Sequence, residues 1–299
     1  MGKFKELPKI NPDEPKDNIE YIEAVSQKSS SFDKAFKDGS PFFTWIEFNI
    51  TDLCNRTCSF CPRVDPEVYP NNNQEISLEL YEKIMKDLAE IGWEGGIVYS
   101  AFSEPLLCKK LRELLQITKE FLPGSFVEIV TNGDLLTADL AKDLLWCGMD
   151  VIKVSLYDGK LQIDPFERMR VKSGLTEDQF IIRYRWAPGE DYGLILSNRA
   201  GTIDLGNKAK LPLKNNCHFP FYKLMVDYDG RVLLCSHDWV KKRDVGNLNR
   251  QTVSEVWTSK KMEFVRERLG NKKRNFNPCR KCDVNGTLGG GKEFNRWVK

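Results

Sequence analysis

Three cysteines stand within eight residues, in the stretch Cys54-Asn55-Arg56-Thr57-Cys58-Ser59-Phe60-Cys61. Thiolates bind soft metals, and the number of them decides what kind of site they make. A structural zinc takes four protein ligands, usually as paired CxxC knuckles, whereas CxxxCxxC leaves one metal position without protein. On a 4Fe-4S cluster, an iron left open in that way can bind and reduce an outside molecule. Three unrelated buried thiols, or a zinc loop, are the plainer alternatives.

A second set lies downstream. Cys217 precedes two alternating apolar runs joined by Asp229-Gly230, Cys235 follows the returning run, and Cys279-Arg280-Lys281-Cys282 comes after a helical stretch capped by Thr252. Four thiolates form a closed set, which suits a tetrahedral zinc or a fully ligated 4Fe-4S cluster, and spacing does not choose between them. His218 and His237 stand beside this set, where packing or a supporting hydrogen bond to a ligand is the expected role.

The elements that must position these thiols follow from periodicity. The alternating run Phe42–Ile50 predicts a buried strand leading into the first cysteine loop. Leu78, Tyr81, Ile84, Met85 and Leu88 form one helical face opened by Ser77. Strands are then predicted at Gly95–Ser100, Phe126–Val130 and Val151–Leu156. Between them run helices carrying Leu107, Leu111, Leu114 and Leu115, and one capped by Thr137 and ended by Gly148. Repeated βα units predict a parallel sheet whose right-handed crossovers curl it into a barrel. Beyond Leu156 the rhythm weakens; Phe180–Trp186 is a fifth strand, and Gly193–Ser197 or Thr202–Leu205 a sixth. Residues 1–40 read as an N-terminal extension with a short helix over Asp17–Gln27, 41–210 as the core, and 211–299 as the domain of the second thiol set.

Composition sets bounds. Hydrophobic residues make up 41% and charged residues 29% of the 299, as in an ordinary water-soluble domain. No apolar run approaches the ~18 residues that span a bilayer, and no signal peptide is visible, so a cytoplasmic location is expected. Nine cysteines there are expected to bind metal or catalyse rather than pair. The net charge is +2, but Val240 to Lys299 holds sixteen Lys or Arg against six Asp or Glu, near +10, which leaves the remainder near −8. Such a segment can meet nucleic acid, an anionic substrate, or the negative charge of a thiolate cluster, although most of it is expected to be solvated surface.

The motif Cys54, Cys58, Cys61 with Phe60 resembles the CxxxCx(aromatic)C signature of the radical S-adenosylmethionine (SAM) enzymes. That resemblance, which runs from about Phe42 to Asp283, implies an α/β fold, a partial (β/α)6 barrel with the cluster loop after its first strand. It further implies SAM on the open iron and a 5'-deoxyadenosyl radical as the oxidant. Cys217, Cys235, Cys279 and Cys282, with Gly246-Asn247-Leu248 and Val256-Trp257, resemble the twitch domain, a short relative of the SPASM domain, which implies one auxiliary 4Fe-4S cluster. Phe102-Ser103-Glu104 resembles the family's Gly-Gly-Glu segment with both glycines replaced, and assigns Glu104 to the SAM amino group. By position in such a barrel, Asn132 and Ser155 are candidates for the SAM ribose and carboxylate. Arg199, between core and twitch, is a candidate for orienting substrate or its radical, and Arg183 and Arg185 should point into the barrel if Tyr184 points out.

Members nearest in layout act on aminocyclitols and other small carbohydrates. The expected function is therefore dehydrogenation of a small polyol, sugar or aminocyclitol, with a flavodoxin or ferredoxin as electron donor and the auxiliary cluster taking the second electron. An epimerase quenching its radical with Cys108 or Cys147, a peptide-modifying enzyme, and a zinc module contacting nucleic acid are the rivals; nucleic acid is the least expected partner.

Overall fold

The computed structural model describes residues 15–185, 197–204 and 209–298, with side chains from residue 20 onward. Helix α1 (Pro15–Lys28) leads to strand β1 (Trp45–Asn49). Four βα repeats follow: α2 (Leu78–Glu90), β2 (Gly96–Tyr99), α3 (Leu111–Phe121), β3 (Phe126–Thr131), α4 (Ala138–Trp146), β4 (Val151–Leu156), α5 (Ile163–Ser173) and β5 (Phe180–Tyr184). The C-terminal part holds α6 (Phe219–Tyr222), β6 (Lys223–Asp227), β7 (Arg231–Leu233), β8 (Asp244–Asn247), α7 (Val253–Trp257), α8 (Lys260–Gly270) and α9 (Gly291–Trp297).

Ser77 and Thr137 cap α2 and α4 by accepting from Leu80 and Leu140 N–H, as their positions predicted. Thr252 and Glu255 close a capping box on α7. All eight strands form one sheet in the order β5-β4-β3-β2-β1-β6-β7-β8. The first five are parallel, and β6 adds a sixth parallel strand beside β1, with Trp45 opposite Lys223 and Asn49 opposite Asp227.

This corrects one sequence expectation. The sixth strand was expected before Leu205; instead the described residues 202–204 form turns, and residues 193–196 and Leu205 lie outside the described residues. The hairpin expected to belong wholly to the second domain supplies the sixth parallel strand. Its run Leu224, Val226, alternating with Met225 and Asp227, buries one apolar face among the sheet's own helices and so continues the β1 surface. The chain reverses through Tyr228–Gly230, with Gly230 left-handed at φ 82°, and β7 returns antiparallel.

Alternation then divides the sheet into two faces. Ile46, Phe48, Ile97, Tyr99, Val127, Ile129, Ile152, Val154 and Ile182 pack outward under the helices in the main core. The inner face carries Trp45, Val98, Phe126, Val151 and Ile181 near the amino ends of the strands, where Tyr21 and Val25 of α1 fill the barrel. Trp45 Nε1 donates to Ser26 Oγ at 2.9 Å, so the helix that sequence assigned to an extension closes the barrel floor. At the other terminus, α9 packs back on the core: Glu293 accepts from Thr44 Oγ1 at 2.8 Å, and Trp297 with Trp257 sandwiches Arg266 at 3.9 and 4.0 Å.

Candidate functional site

The first three thiols leave β1 on a loop held from below by one buried guanidinium. Arg63 donates to Phe102 O (2.6 Å), Asn71 Oδ1 (2.7 Å) and Asp52 O (2.5 Å), and stacks over Tyr69 at 4.6 Å. Asn71 also accepts from Cys54 N and donates to Cys54 O. From above, Arg56 reaches Asp134 after β3 and Asp158 after β4, while Asn55 pairs with Asp134 and Asn132. Phe60 packs on Tyr157 with centroids 5.4 Å apart. The thiols are unpaired and half-buried, and burial followed by the neighbouring Cys61 pushes Cys58 up to about 11. Such thiols ionise readily only beside a cation or a metal.

Glu104 is 2% exposed and sits below this loop. It accepts from Thr131 Oγ1 at 2.6 Å, Asn132 N at 2.7 Å and Leu106 N at 3.1 Å; burial nonetheless raises its pKa. A carboxylate has about four acceptor positions, so one remains for an ammonium donor. The bend that glycines would make is taken by Ala101, left-handed at φ 80°, and its neighbours are tied to Asn49 through Phe102 N and Ser103 Oγ. Asn132 spends its side chain on Asn55 and Asp134 N, which makes it a brace of the loop in this arrangement.

The second set, Cys217, Cys235, Cys279 and Cys282, lines one apolar cavity with Phe219, Leu234, His237 and Arg274. Burial and then the other three thiols raise Cys235 well above its ordinary value, which reflects their convergence. Arg274 is 2% exposed, donates to the carbonyls of Asn215, Asn216 and Val284, and opposes the upward shifts of Cys217, Cys279 and Cys282. One cation of the basic C-terminal segment is thus spent on thiolate charge. Gly286 makes the enclosure possible, because a Cβ there would stand 2.3 Å from Cys217 Sγ. An all-thiolate lining with no carboxylate fits an iron–sulfur cluster or zinc. Among the described residues no three Cys, His, Asp or Glu side chains are gathered as one metal ion requires.

Between the two sets lies the barrel lumen, a cavity of about 160 Å³ on whose wall stand Glu47, Ser100, Glu128, Lys153, Ser155, Arg183, Arg185 and Lys223. Two buried ion pairs join neighbouring strands along this wall, Lys153 to Glu128 at 2.7 Å and Lys223 to Glu47 at 3.0 Å. Burial raises Glu47, but Lys223 and the hydroxyl of Ser100 outweigh it and hold the carboxyl low. Burial lowers Lys153 to about 8 against the pull of Glu128. Arg183 and Arg185 face inward and Tyr184 packs outward, as alternation required.

The turn Ser197–Ile203 links lumen and second set. Arg199 lies close enough to Cys61, Tyr157 and Glu47 to feel their charges, and the next residue, Ala200, walls the four-thiol cavity. Both are left-handed (φ 46° and 55°), a conformation that costs about 1–2 kcal/mol per residue. Asn198 holds the turn, through Asp283 Oδ1 at 2.9 Å and Lys281 O at 2.7 Å.

Of the predicted residues, the structure groups Cys54, Cys58, Cys61, Phe60, Glu104 and Asn132 at the barrel mouth, with Ser155 below and Arg199 opposite. It separates Cys108 from them. That thiol, pushed up to about 12 by burial, packs in the helix-side core beside Tyr99, because the residue follows a 3-10 turn that folds back under α3. Cys147 lies in the same core at the end of α4. Sequence reasoning missed Arg63, the Arg56–Asp134–Asp158 cluster and the lumen ion pairs. The single charged residues inside apolar strands, Glu47, Glu128 and Lys153, are the signal that could have found the last.

Family models match in two places: the Radical SAM superfamily over residues 48–175 and the SPASM iron–sulfur cluster-binding domain over residues 217–283. The S-adenosyl-L-methionine-dependent 2-deoxy-scyllo-inosamine dehydrogenase of Niallia circulans is 28% identical over 245 residues, covering 81% of this chain and 93% of that protein. The Fe-coproporphyrin III synthase of Methanosarcina barkeri is 29% identical over 157 residues, 52% of this chain and 37% of that one. The crystal structure of BtrN in complex with AdoMet and 2-DOIA superimposes with a TM-score of 0.70 at 26% identity, over 84% of this chain and 97% of BtrN. Native anSMEcpe with bound AdoMet shares the fold at a TM-score of 0.54 and 13% identity, over 86% and 95% of the two chains.

Proposed function

The chain is a radical SAM enzyme with a C-terminal SPASM-type iron–sulfur domain, and from that premise we propose that it oxidises a hydroxyl-bearing carbon of a small polyol, sugar or aminocyclitol to a ketone. When bound, a 4Fe-4S cluster on Cys54, Cys58 and Cys61 supplies the electron that splits SAM into the hydrogen-abstracting 5'-deoxyadenosyl radical, and an auxiliary 4Fe-4S cluster on Cys217, Cys235, Cys279 and Cys282 supplies the acceptor for the second electron.

The chain's own residues do the rest. Arg63 and Asn71 fix the loop that carries the three thiols, and Glu104 offers its remaining acceptor position to an ammonium group. Ser100, Ser155, Glu47 and Arg183 present donors and acceptors to a polyhydroxylated guest in the lumen. Tyr21, Trp45 and Phe126 close the floor and keep water from that side. Arg274 offsets thiolate charge at the closed set. The observation that carries the reading is the turn at Arg199 and Ala200, which sets one polar lumen between an open three-thiol loop and a closed four-thiol cavity. The named relative from Niallia circulans, a dehydrogenase, supports oxidation. Unpaired cysteines throughout suit a reducing cytoplasm and a flavodoxin or ferredoxin donor.

Epimerisation needs a thiol on the lumen to return hydrogen, and both Cys108 and Cys147 pack on the helix side. The test counts products in deuterated water, with reconstituted enzyme, SAM and dithionite, over a panel of polyols and aminocyclitols. Dehydrogenation gives one ketone for each 5'-deoxyadenosine and leaves no solvent deuterium on the substrate carbon; deuterium at an inverted carbon without ketone overturns the reading.

A further inference from the structure

The bend that leads to Glu104 is made by Ala101, left-handed at φ 80°, and a non-glycine residue stays in that conformation only where its surroundings hold it. Asn49, the last residue of β1 and fully buried, supplies the hold: its Oδ1 accepts from Phe102 N at 3.3 Å and from Ser103 Oγ at 2.7 Å. Its Nδ2 donates to Tyr69 OH at 2.9 Å and to Asp227 Oδ1 at 2.8 Å. All four hydrogen-bonding positions of the amide are used, and the Phe102 N–H and the Asp227 carboxylate fix which end is oxygen. Asp227 is equally buried and stands opposite Asn49 at the end of β6. Its Oδ1 also accepts from Tyr228 N at 3.1 Å, and its Oδ2 meets Lys241 Nζ, with Arg231 further off at 3.8 Å. The Lys241 ammonium lies over the rings of Tyr69 and Tyr228 at 4.9 and 4.8 Å. Lys241 belongs to the loop that follows Cys235, and Trp239 of the same loop packs on Phe102 and Tyr69 with centroids 4.8 and 5.4 Å apart. A row of side chains thus runs from the four-thiol domain through Lys241, Asp227 and Asn49 to the backbone that carries Glu104.

We propose that Asn49 is a positioning residue for SAM: braced by Asp227 and Lys241, it holds the bend at residues 101–103 so that the open acceptor position of Glu104 faces the SAM ammonium group. This rests on the reading of Glu104 as the receiver of that group. An amide is required because it must accept from the Phe102 N–H on one side and donate to a carboxylate on the other. Aspartate at this position accepts from Phe102 and Ser103 but sets a second negative charge against Asp227. The brace also makes the second domain part of the SAM site. Without Lys241 the Asp227 carboxylate is left buried with Arg231, at 3.8 Å, as the cation within ion-pair reach, and Asn49 loses a firmly placed partner.

The probes are SAM and its desamino analogue, which keeps the sulfonium and the carboxylate and lacks only the amino group. Each is titrated calorimetrically into anaerobically reconstituted enzyme, with iron measured in every variant so that affinities are compared at equal loading. Wild type should bind SAM about tenfold more tightly than the analogue. Asn49→Asp should weaken SAM by about tenfold and leave the analogue within about twofold, because only the amino group meets Glu104. Adding Asp227→Asn restores a donor facing an acceptor between the two strands and should recover part of the loss. Lys241→Met should show the same selective loss, about threefold. Equal weakening of both ligands in Asn49→Asp assigns the residue to the general shape of the pocket and overturns the proposal. So does an unmoved SAM Kd, or a double variant no better than Asn49→Asp. Should Asn49→Asp lack the wild-type circular dichroism, Lys241→Met, changed in an outer loop, answers the same question through the same two titrations. A wild type that fails to distinguish SAM from the analogue removes the Glu104 reading, and the proposal with it. A wild type that distinguishes them, beside an Asn49→Asp that does so equally well, overturns the proposal alone.

Discussion

Replacing Arg63 by Met should both destabilise the protein and loosen the three-thiol loop. The side chain is 6% exposed and is donor to three acceptors, the carbonyls of Asp52 and Phe102 and the amide oxygen of Asn71. Methionine keeps most of the volume and the contact with Tyr69 but donates nothing. Each buried acceptor left without a donor costs about 1–3 kcal/mol. Rearrangement of the exposed Asn71 can relieve one of the three, so the two that remain should cost about 2–6 kcal/mol together. For a chain of this size that corresponds to a fall in Tm of roughly 3–10 °C. Differential scanning calorimetry of the apoprotein under reducing, anaerobic conditions reads the loss, and the iron bound after reconstitution reads the loop. Arg63→Lys restores charge without the fork and should recover less than half of the stability. A Tm for Arg63→Met within about 2 °C of wild type, with full iron, would refute the view that one guanidinium holds the loop in place.

Other outcomes follow from the same geometry. Lys153 is lowered in the folded state, so between about pH 8 and 10 the unfolded chain binds more protons and this residue makes stability rise with pH. Urea midpoints at pH 7.5, 8.5 and 9.5 should climb more in wild type than in Lys153→Met; an equal or smaller climb contradicts the buried-lysine argument. Lys223, raised by Glu47 despite burial, has the opposite sign: its contribution is present below the ordinary lysine pKa and fades as pH rises beyond it, so Lys223→Met should flatten the loss of stability seen when the urea series is extended above about pH 10.5. Cys108→Ala and Cys147→Ala remove only core volume. They should cost about 1–2 kcal/mol each in denaturant midpoints and leave the yield of product per 5'-deoxyadenosine unchanged. A selective collapse of that yield in either variant would return the thiol to the reaction.

Much of the architecture was legible because its signals are local. Caps at Ser77 and Thr137, the alternation of Arg183, Tyr184 and Arg185, and the Asp229-Gly230 turn all act within a few residues, and each element formed where it predicted. The partnership of β6 with β1 was not legible, because it joins residues about 180 apart and depends on which sheet edge remains open. The role of α1 was hidden for a related reason: Tyr21 and Val25 look like any amphipathic pair until the barrel floor that needs them exists. At the site, the thiol spacing announced itself. The groups that position the thiols did not, since Arg63 and Arg56 read as ordinary charges in a polar loop. Cys108 shows the reverse error, because nearness in sequence to Glu104 suggested the mouth of the barrel while a single 3-10 turn carried the side chain to the other face of the sheet.

The central claim, two separate thiolate sets of different kind, is most directly tested by metal analysis of anaerobically reconstituted protein. The account predicts about eight irons and eight sulfides per chain. With Cys54, Cys58 and Cys61 all changed to Ala, about four irons should remain and SAM cleavage should vanish. Zinc in place of iron, or a triple variant that keeps both the full iron content and SAM cleavage, would contradict it.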